Sequence, residues 1–183
     1  MAAGLRTLGG AMTARAKRAT KAAVFGAFAA ALLMASAARA EDPSYVAVGA
    51  GVYDVLHNYT AGQARLEFRF GQRWFFLKPM LGVLATTDKS VMGYFGFRID
   101  LYLGQHVVVT PNAAVGAFYR GDGKQLGSTI EFKTGGEFAW RFDDHSRLGI
   151  QFDHISNAGI GKHNPGTESL VLYYSIPFGA PVH

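Results

Sequence analysis

Three residues near the C-terminus, His154, Ser156 and Glu168, have the types needed for acyl transfer and a spacing that can bring them together. In the stretch Arg147 to Ser156 one parity reads Leu148, Ile150, Phe152, His154 and Ser156, and the other reads Arg147, Gly149, Gln151 and Asp153. In the following stretch Glu168 leads into Leu170, Leu172, Tyr174, Ile176 and Phe178 at every second position. Alternation of this kind marks two strands whose apolar faces end, beside the connecting loop, in a histidine, a serine and a glutamate. Residues two apart on a strand share a face with Cα atoms roughly 6.6 Å apart, at about 3.3 Å per residue, and an imidazole can span that gap to a hydroxyl. A glutamate on the neighbouring antiparallel strand can accept the other imidazole N–H, fix the tautomer and let the histidine take the serine proton as the oxygen attacks an acyl carbon. The Gly-x-Ser-x-Gly turn of α/β-hydrolases is absent, so that fold is not the template.

The elements that would position these groups recur along the whole chain. After Glu41 the pattern repeats as about ten residues of alternation followed by a turn. The expected strands run from Tyr45 to Leu56, Gln63 to Phe70, Trp74 to Thr86, Val91 to Leu103, Val107 to Tyr119, Ile130 to Phe142, and then through the two stretches above. Pro79 and Pro111 fall inside two of them, where a missing N–H demands an edge or a bulge.

The apolar parity is rich in Phe, Leu, Trp and Tyr, whereas the opposite parity repeatedly offers Arg, Lys, Glu and Asp beside glycines. A soluble lipocalin-like or jelly-roll domain would bury the apolar face. An eight-stranded antiparallel transmembrane β-barrel of the outer-membrane type turns it to lipid and packs a polar lumen. With both termini periplasmic, the His/Ser/Glu group falls at the outer rim, facing lipid.

The first forty residues carry five basic side chains ahead of the apolar run AAVFGAFAAALLMA and end in Ala38-Arg39-Ala40, which reads as a secretory signal peptide over residues 1–40 before a barrel over 41–183. Because the charged leader is long, Met12 is an alternative start to Met1. The full chain has a formal charge of +5, but without the leader 12 Lys+Arg face 13 Asp+Glu, so the basic pI gives no support for nucleic-acid binding. No cysteine is present, and Asp143-Asp144 lacks the ligand count of a calcium site, so neither metal nor cofactor is expected.

The segment HISNAG, a short loop with Asn164 and Gly166, and then ESLVLYYSIPF resemble the lipid A 3-O-deacylase (PagL-type) family, with the match extending from about Val107 to Phe178. That resemblance implies an eight-stranded outer-membrane barrel that removes the ester-linked acyl chain at position 3 of lipid A, with lipopolysaccharide in the outer leaflet as its partner. It carries the catalytic roles onto His154, Ser156 and Glu168, which stand two and twelve residues apart. It also implies an oxyanion or substrate-binding role for Asn164 and for Asn157, which follows the serine. Departures are the five residues GAPVH after Phe178 and a divergent first half. A phospholipase or acyltransferase barrel, or a small structural or adhesion barrel without chemistry, are the alternative readings.

Overall fold

The computed structural model describes residues 42–179, so the leader and cleavage site expected over residues 1–40 lie outside the described residues. Period-2 alternation becomes strands β1 (Ser44–Tyr53), β2 (Ala61–Arg69), β3 (Lys78–Thr86), β4 (Val91–Arg98), β5 (Leu101–Leu103), β6 (Val107–Tyr119), β7 (Ile130–Arg141), β8 (Arg147–Ser156) and β9 (Thr167–Phe178). All pairings are antiparallel. β1 pairs with β9 from Tyr53↔Ser169 to Ser44↔Phe178, and β4 pairs with β6, so the sheet closes without an edge.

β4 and β5 form one wall strand, because both pair with β6 in a continuous register, Arg98↔Asn112 and Leu101↔Val109. The barrel therefore has eight walls. The single strand expected from Val91 to Leu103 is interrupted at Ile99 and Asp100, and the cause lies across the sheet. Ile99 N–H donates to the Pro111 carbonyl at 3.0 Å, but Pro111 has no N–H to return. The first and third strands are also shorter than expected. β1 stops at Tyr53 because Asp54 takes a positive φ of 55°. β3 begins at Lys78 because Trp74 and Leu77 exchange backbone hydrogen bonds around a tight turn in which Phe75 has φ 59°.

Alternation assigns the faces as the sequence implies. Along β8, Leu148, Ile150, Phe152 and His154 point out, whereas Arg147, Gln151, Asp153 and Ile155 are buried inside. Along β9, Leu170, Leu172, Tyr174 and Ile176 point out, and Ser169, Val171, Tyr173 and Ser175 point in. An apolar exterior beside a charged interior is what lipid demands, since the closed ladder satisfies the backbone within the wall.

The lumen is filled rather than open. Glu67 accepts from Arg69 at 2.8 Å, Tyr94 at 2.7 Å and Tyr173 at 2.9 Å, and Arg69 reaches across to Glu137 at 2.6 Å. Nearer the termini, Lys78 bridges Asp42 and Asp100 at 2.7 and 3.1 Å, and Arg147 approaches Asp100 at 3.3 Å with its guanidinium over the Tyr45 ring. Space for these large side chains comes partly from glycine: a Cβ on Gly82 would lie 2.7 Å from the Tyr94 ring. The polar lumen is not uniform, because Tyr53, Met80, Leu84, Met92, Phe118 and Ile155 form an apolar cluster within it.

The termini of the described barrel and the turns at 70–77, 104–106 and 142–146 mark one end, and the connections at 54–60, 87–90, 120–129 and 157–166 mark the other. Outer-membrane barrels keep short turns at the periplasm and longer loops outside, so the second end is the cell exterior. Exposed Trp74, Phe75, Phe76, Trp140 and Phe142 crowd the periplasmic end, where amphipathic rings suit the membrane interface.

Candidate active site

Barrel pairing brings His154 and Glu168 directly opposite each other on β8 and β9. Both lie at the exterior ends of their strands. The His154 Nδ1–H donates to Glu168 Oε1 at 2.9 Å, since a carboxylate oxygen can only accept, and this leaves Nε2 for a second partner. His154 is half-exposed on the outer wall, while Glu168 is mostly covered. Ser156 is the last residue of β8 on the same face, opposite Phe132, and its hydroxyl has no hydrogen-bond partner among the described residues.

Gly166 closes the other side of the imidazole. It adopts φ +61°, and a Cβ there would lie 2.8 Å from His154 Cε1 and 3.4 Å from Nε2. A side chain at 166 would therefore occupy the Cε1–Nε2 edge of the ring.

The loop from Asn157 to Gly166 is built on Asn157. Its backbone carbonyl accepts from Ile160 N–H at 3.1 Å across a turn whose central residues, Ala158 and Gly159, have φ of 52° and 82°. Positive φ at both positions is the signature of a type I′ turn. The Asn157 side chain is fully buried and fully engaged. Its Nδ2 donates to the Leu126 carbonyl at 2.9 Å and the His163 carbonyl at 2.7 Å, and its Oδ1 accepts from Gly159 N–H at 2.9 Å. Its carboxamide thus ties two outer loops together and has no donor left for a ligand. Asn164 Oδ1 accepts from Asn157 N–H at 3.0 Å, which points the Nδ2 end of that carboxamide away from the bond.

A second histidine reaches the same carboxylate, and no pattern along the chain pointed to it. His57, in the loop after β1, places Nδ1 3.2 Å from Glu168 Oε2 and 3.4 Å from Asp54 Oδ1. Asp54 is buried and accepts from Lys124 Nζ at 2.7 Å, Thr167 Oγ1 at 2.9 Å and Tyr59 N–H at 3.0 Å. Burial alone would raise the Asp54 pKa, but the hydrogen bonds from Lys124, Thr167 and Tyr59 outweigh it and hold the carboxyl below its ordinary value. Asp54, His57 and Glu168 have ligand atoms within 4.8 Å of one another. Within that cluster Lys124 Nζ, 2.7 Å from Asp54 Oδ1, already supplies positive charge to the Asp54 carboxylate.

Comparison with known proteins gives the arrangement its family. The sequence profile of the family described as Lipid A 3-O-deacylase (PagL) matches residues 6–177. Among solved structures, the crystal structure of the outer membrane enzyme PagL superimposes with a TM-score of 0.61 at 21% identity, covering 73% of this chain and 99% of that one. Neisserial surface protein A (NspA) superimposes with a TM-score of 0.55 at 11% identity, covering 74% of this chain and 97% of that one. No curated protein matches the sequence. Both structural likenesses concern the barrel, whereas the profile match spans barrel and site alike, and the chain belongs to the lipid A 3-O-deacylase (PagL) family of outer-membrane hydrolases.

Proposed function

We propose that this chain, as a barrel freed of a leader cleaved after Ala40, hydrolyses the ester-linked 3-acyl chain of lipid A by serine catalysis, with Ser156 as nucleophile, His154 as base and Glu168 as its orienting carboxylate. The observation that carries this reading is the 2.9 Å hydrogen bond from His154 Nδ1 to Glu168 Oε1 on the lipid-facing wall, with Ser156 two residues further along the same face. Polar side chains on a lipid-facing surface near the interface cost about 0 to 1 kcal/mol, and a hydrogen-bonded His154–Glu168 pair with a serine on the same face calls for a function.

In the first half-reaction His154 Nε2 takes the Ser156 proton as Oγ attacks the ester carbon, forming a tetrahedral oxyanion. Collapse expels the glucosamine 3-oxygen, which recovers the proton from His154, and leaves an acyl-serine. Water, deprotonated by the same imidazole, then releases the fatty acid and restores Ser156. Glu168 keeps the Nδ1 proton in place and stabilises the imidazolium. Asn164 Nδ2 is assigned to the oxyanion, and one such donor contributes about 3 kcal/mol to the transition state. Asn157 supports the site by fixing the loop that carries Asn164. The lipid-facing position lets a substrate already in the outer leaflet present its ester sideways without leaving the membrane.

Mass spectrometry of lipid A from cells expressing the protein tests the assignment. A species lacking one acyl chain is expected, and it disappears with Ser156→Ala, His154→Ala or Glu168→Ala, with losses that do not add in combination because the three act as a unit. An unchanged acylation pattern from a folded barrel, or full activity of Ser156→Ala, would overturn it.

A further inference from the structure

We propose that His57 is a positioning residue for the deacylase site, holding the second carboxylate oxygen of Glu168 so that the first stays on His154. The role presupposes that Glu168 orients His154. Glu168 Oε1 is engaged by His154, but Oε2 is buried with no hydrogen bond aligned on it. A buried carboxylate oxygen without a donor is unfavourable, and it draws the carboxylate toward any N–H that can reach it. His57 Nδ1 stands 3.2 Å away and is shared with Asp54 Oδ1 at 3.4 Å, so a small ring rotation aligns it on Oε2.

The support behind His57 is fixed. Asp54 is held by Lys124 from the 120–129 loop and by Thr167 next to Glu168 itself, and Val55 N–H donates to the Glu168 carbonyl at 3.0 Å. The loop that carries His57 is therefore stitched to the strand that carries Glu168. The terminal torsion of a glutamate is broad and roughly two-fold, so a carboxylate held at one oxygen can swing. Held at both, it keeps His154 in one tautomer and one orientation, as the supporting partners of a ligating or catalytic histidine generally do. His57 acts through Glu168 alone and is not itself a catalytic residue.

The test uses the full chain in detergent micelles with purified lipid A, comparing His57→Phe and His57→Asn, each alone and combined with Glu168→Ala, with folding checked by heat-modifiable gel mobility. Phe keeps the ring and removes the donor, whereas Asn places Nδ2 close to the position of the imidazole Nδ1. His57→Phe is expected to lower kcat roughly tenfold with KM unchanged, the scale typical of losing a partner behind a site histidine. His57→Asn should recover most of that loss, and His57→Phe should cost nothing further in the residual activity of Glu168→Ala. Full activity of His57→Phe beside a crippled Glu168→Ala overturns the positioning role and leaves the triad standing, as does an equal loss in both backgrounds. A fully active Glu168→Ala removes the triad reading and this role together.

Discussion

Gly166 shows how little space the chemistry leaves at the scale of one residue. Its φ of +61° and the 2.8 Å approach of a hypothetical Cβ to His154 Cε1 both exclude a side chain. Gly166→Ala should therefore lower kcat on lipid A by one to two orders of magnitude, through displacement of the imidazole, while the backbone conformation costs only about 1–2 kcal/mol of stability. A variant that kept full kcat with an unmoved His154 would contradict that packing. The outward placement of His154, Ser156 and Glu168 at one rim was legible in the sequence because parity puts all three on the apolar faces of two adjacent strands. Gly166 stands in the segment that carries the family resemblance, but nothing in the sequence shows that it packs against the imidazole. His57 was invisible because β1 and β9 become neighbours only when the barrel closes, with Tyr53 opposite Ser169, and nothing local in the sequence announces that pairing.

The element that depends most on a single side chain is the loop from Asn157 to Gly166. Asn157→Ala would leave the Leu126 and His163 carbonyls without their donor and the Gly159 N–H without its acceptor. The Leu126 carbonyl is buried and costs about 1–3 kcal/mol when left unsatisfied, and the part-buried bonds at His163 and Gly159 that fix the loop are lost with it. The expected outcome is faster amide exchange confined to residues 120–129 and 157–166 and a matching loss of activity, with the strands protected as before. Uniform exchange across the barrel would show that Asn157 is not a local tie. Strand positions were readable because alternation is a property of single segments. The break at Ile99 and Asp100 was not, since it comes from Pro111 on the next strand, and the shortened β1 and β3 follow from positive φ at Asp54 and at Phe75, a bulky residue that rarely adopts it.

Across the whole molecule the wall separates two kinds of consequence by parity, and neighbouring residues Asp153 and His154 make the contrast testable. Asp153 points into the lumen, where it accepts from Lys133 at 3.1 Å and Gln151 at 2.6 Å and is paired with Arg65. Asp153→Ala strands those donors inside the barrel. Lys133 retains Asn112 at 2.8 Å, and Arg65 Nε retains Gln63 at 3.0 Å, but both charges lose their nearest carboxylate. Breaking a buried pair from one side costs about 3–5 kcal/mol, so the midpoint of urea unfolding should fall markedly. The molecules that remain folded should still deacylate, because the lumen does not meet the substrate. His154→Ala should do the opposite, removing activity while lowering the unfolding free energy by only about 0.2–1 kcal/mol, the usual scale for losing a half-exposed ion pair such as His154–Glu168. If Asp153→Ala abolished activity in molecules that are demonstrably folded, the site would extend through the wall, and the division between a stabilising interior and a reactive exterior would not hold.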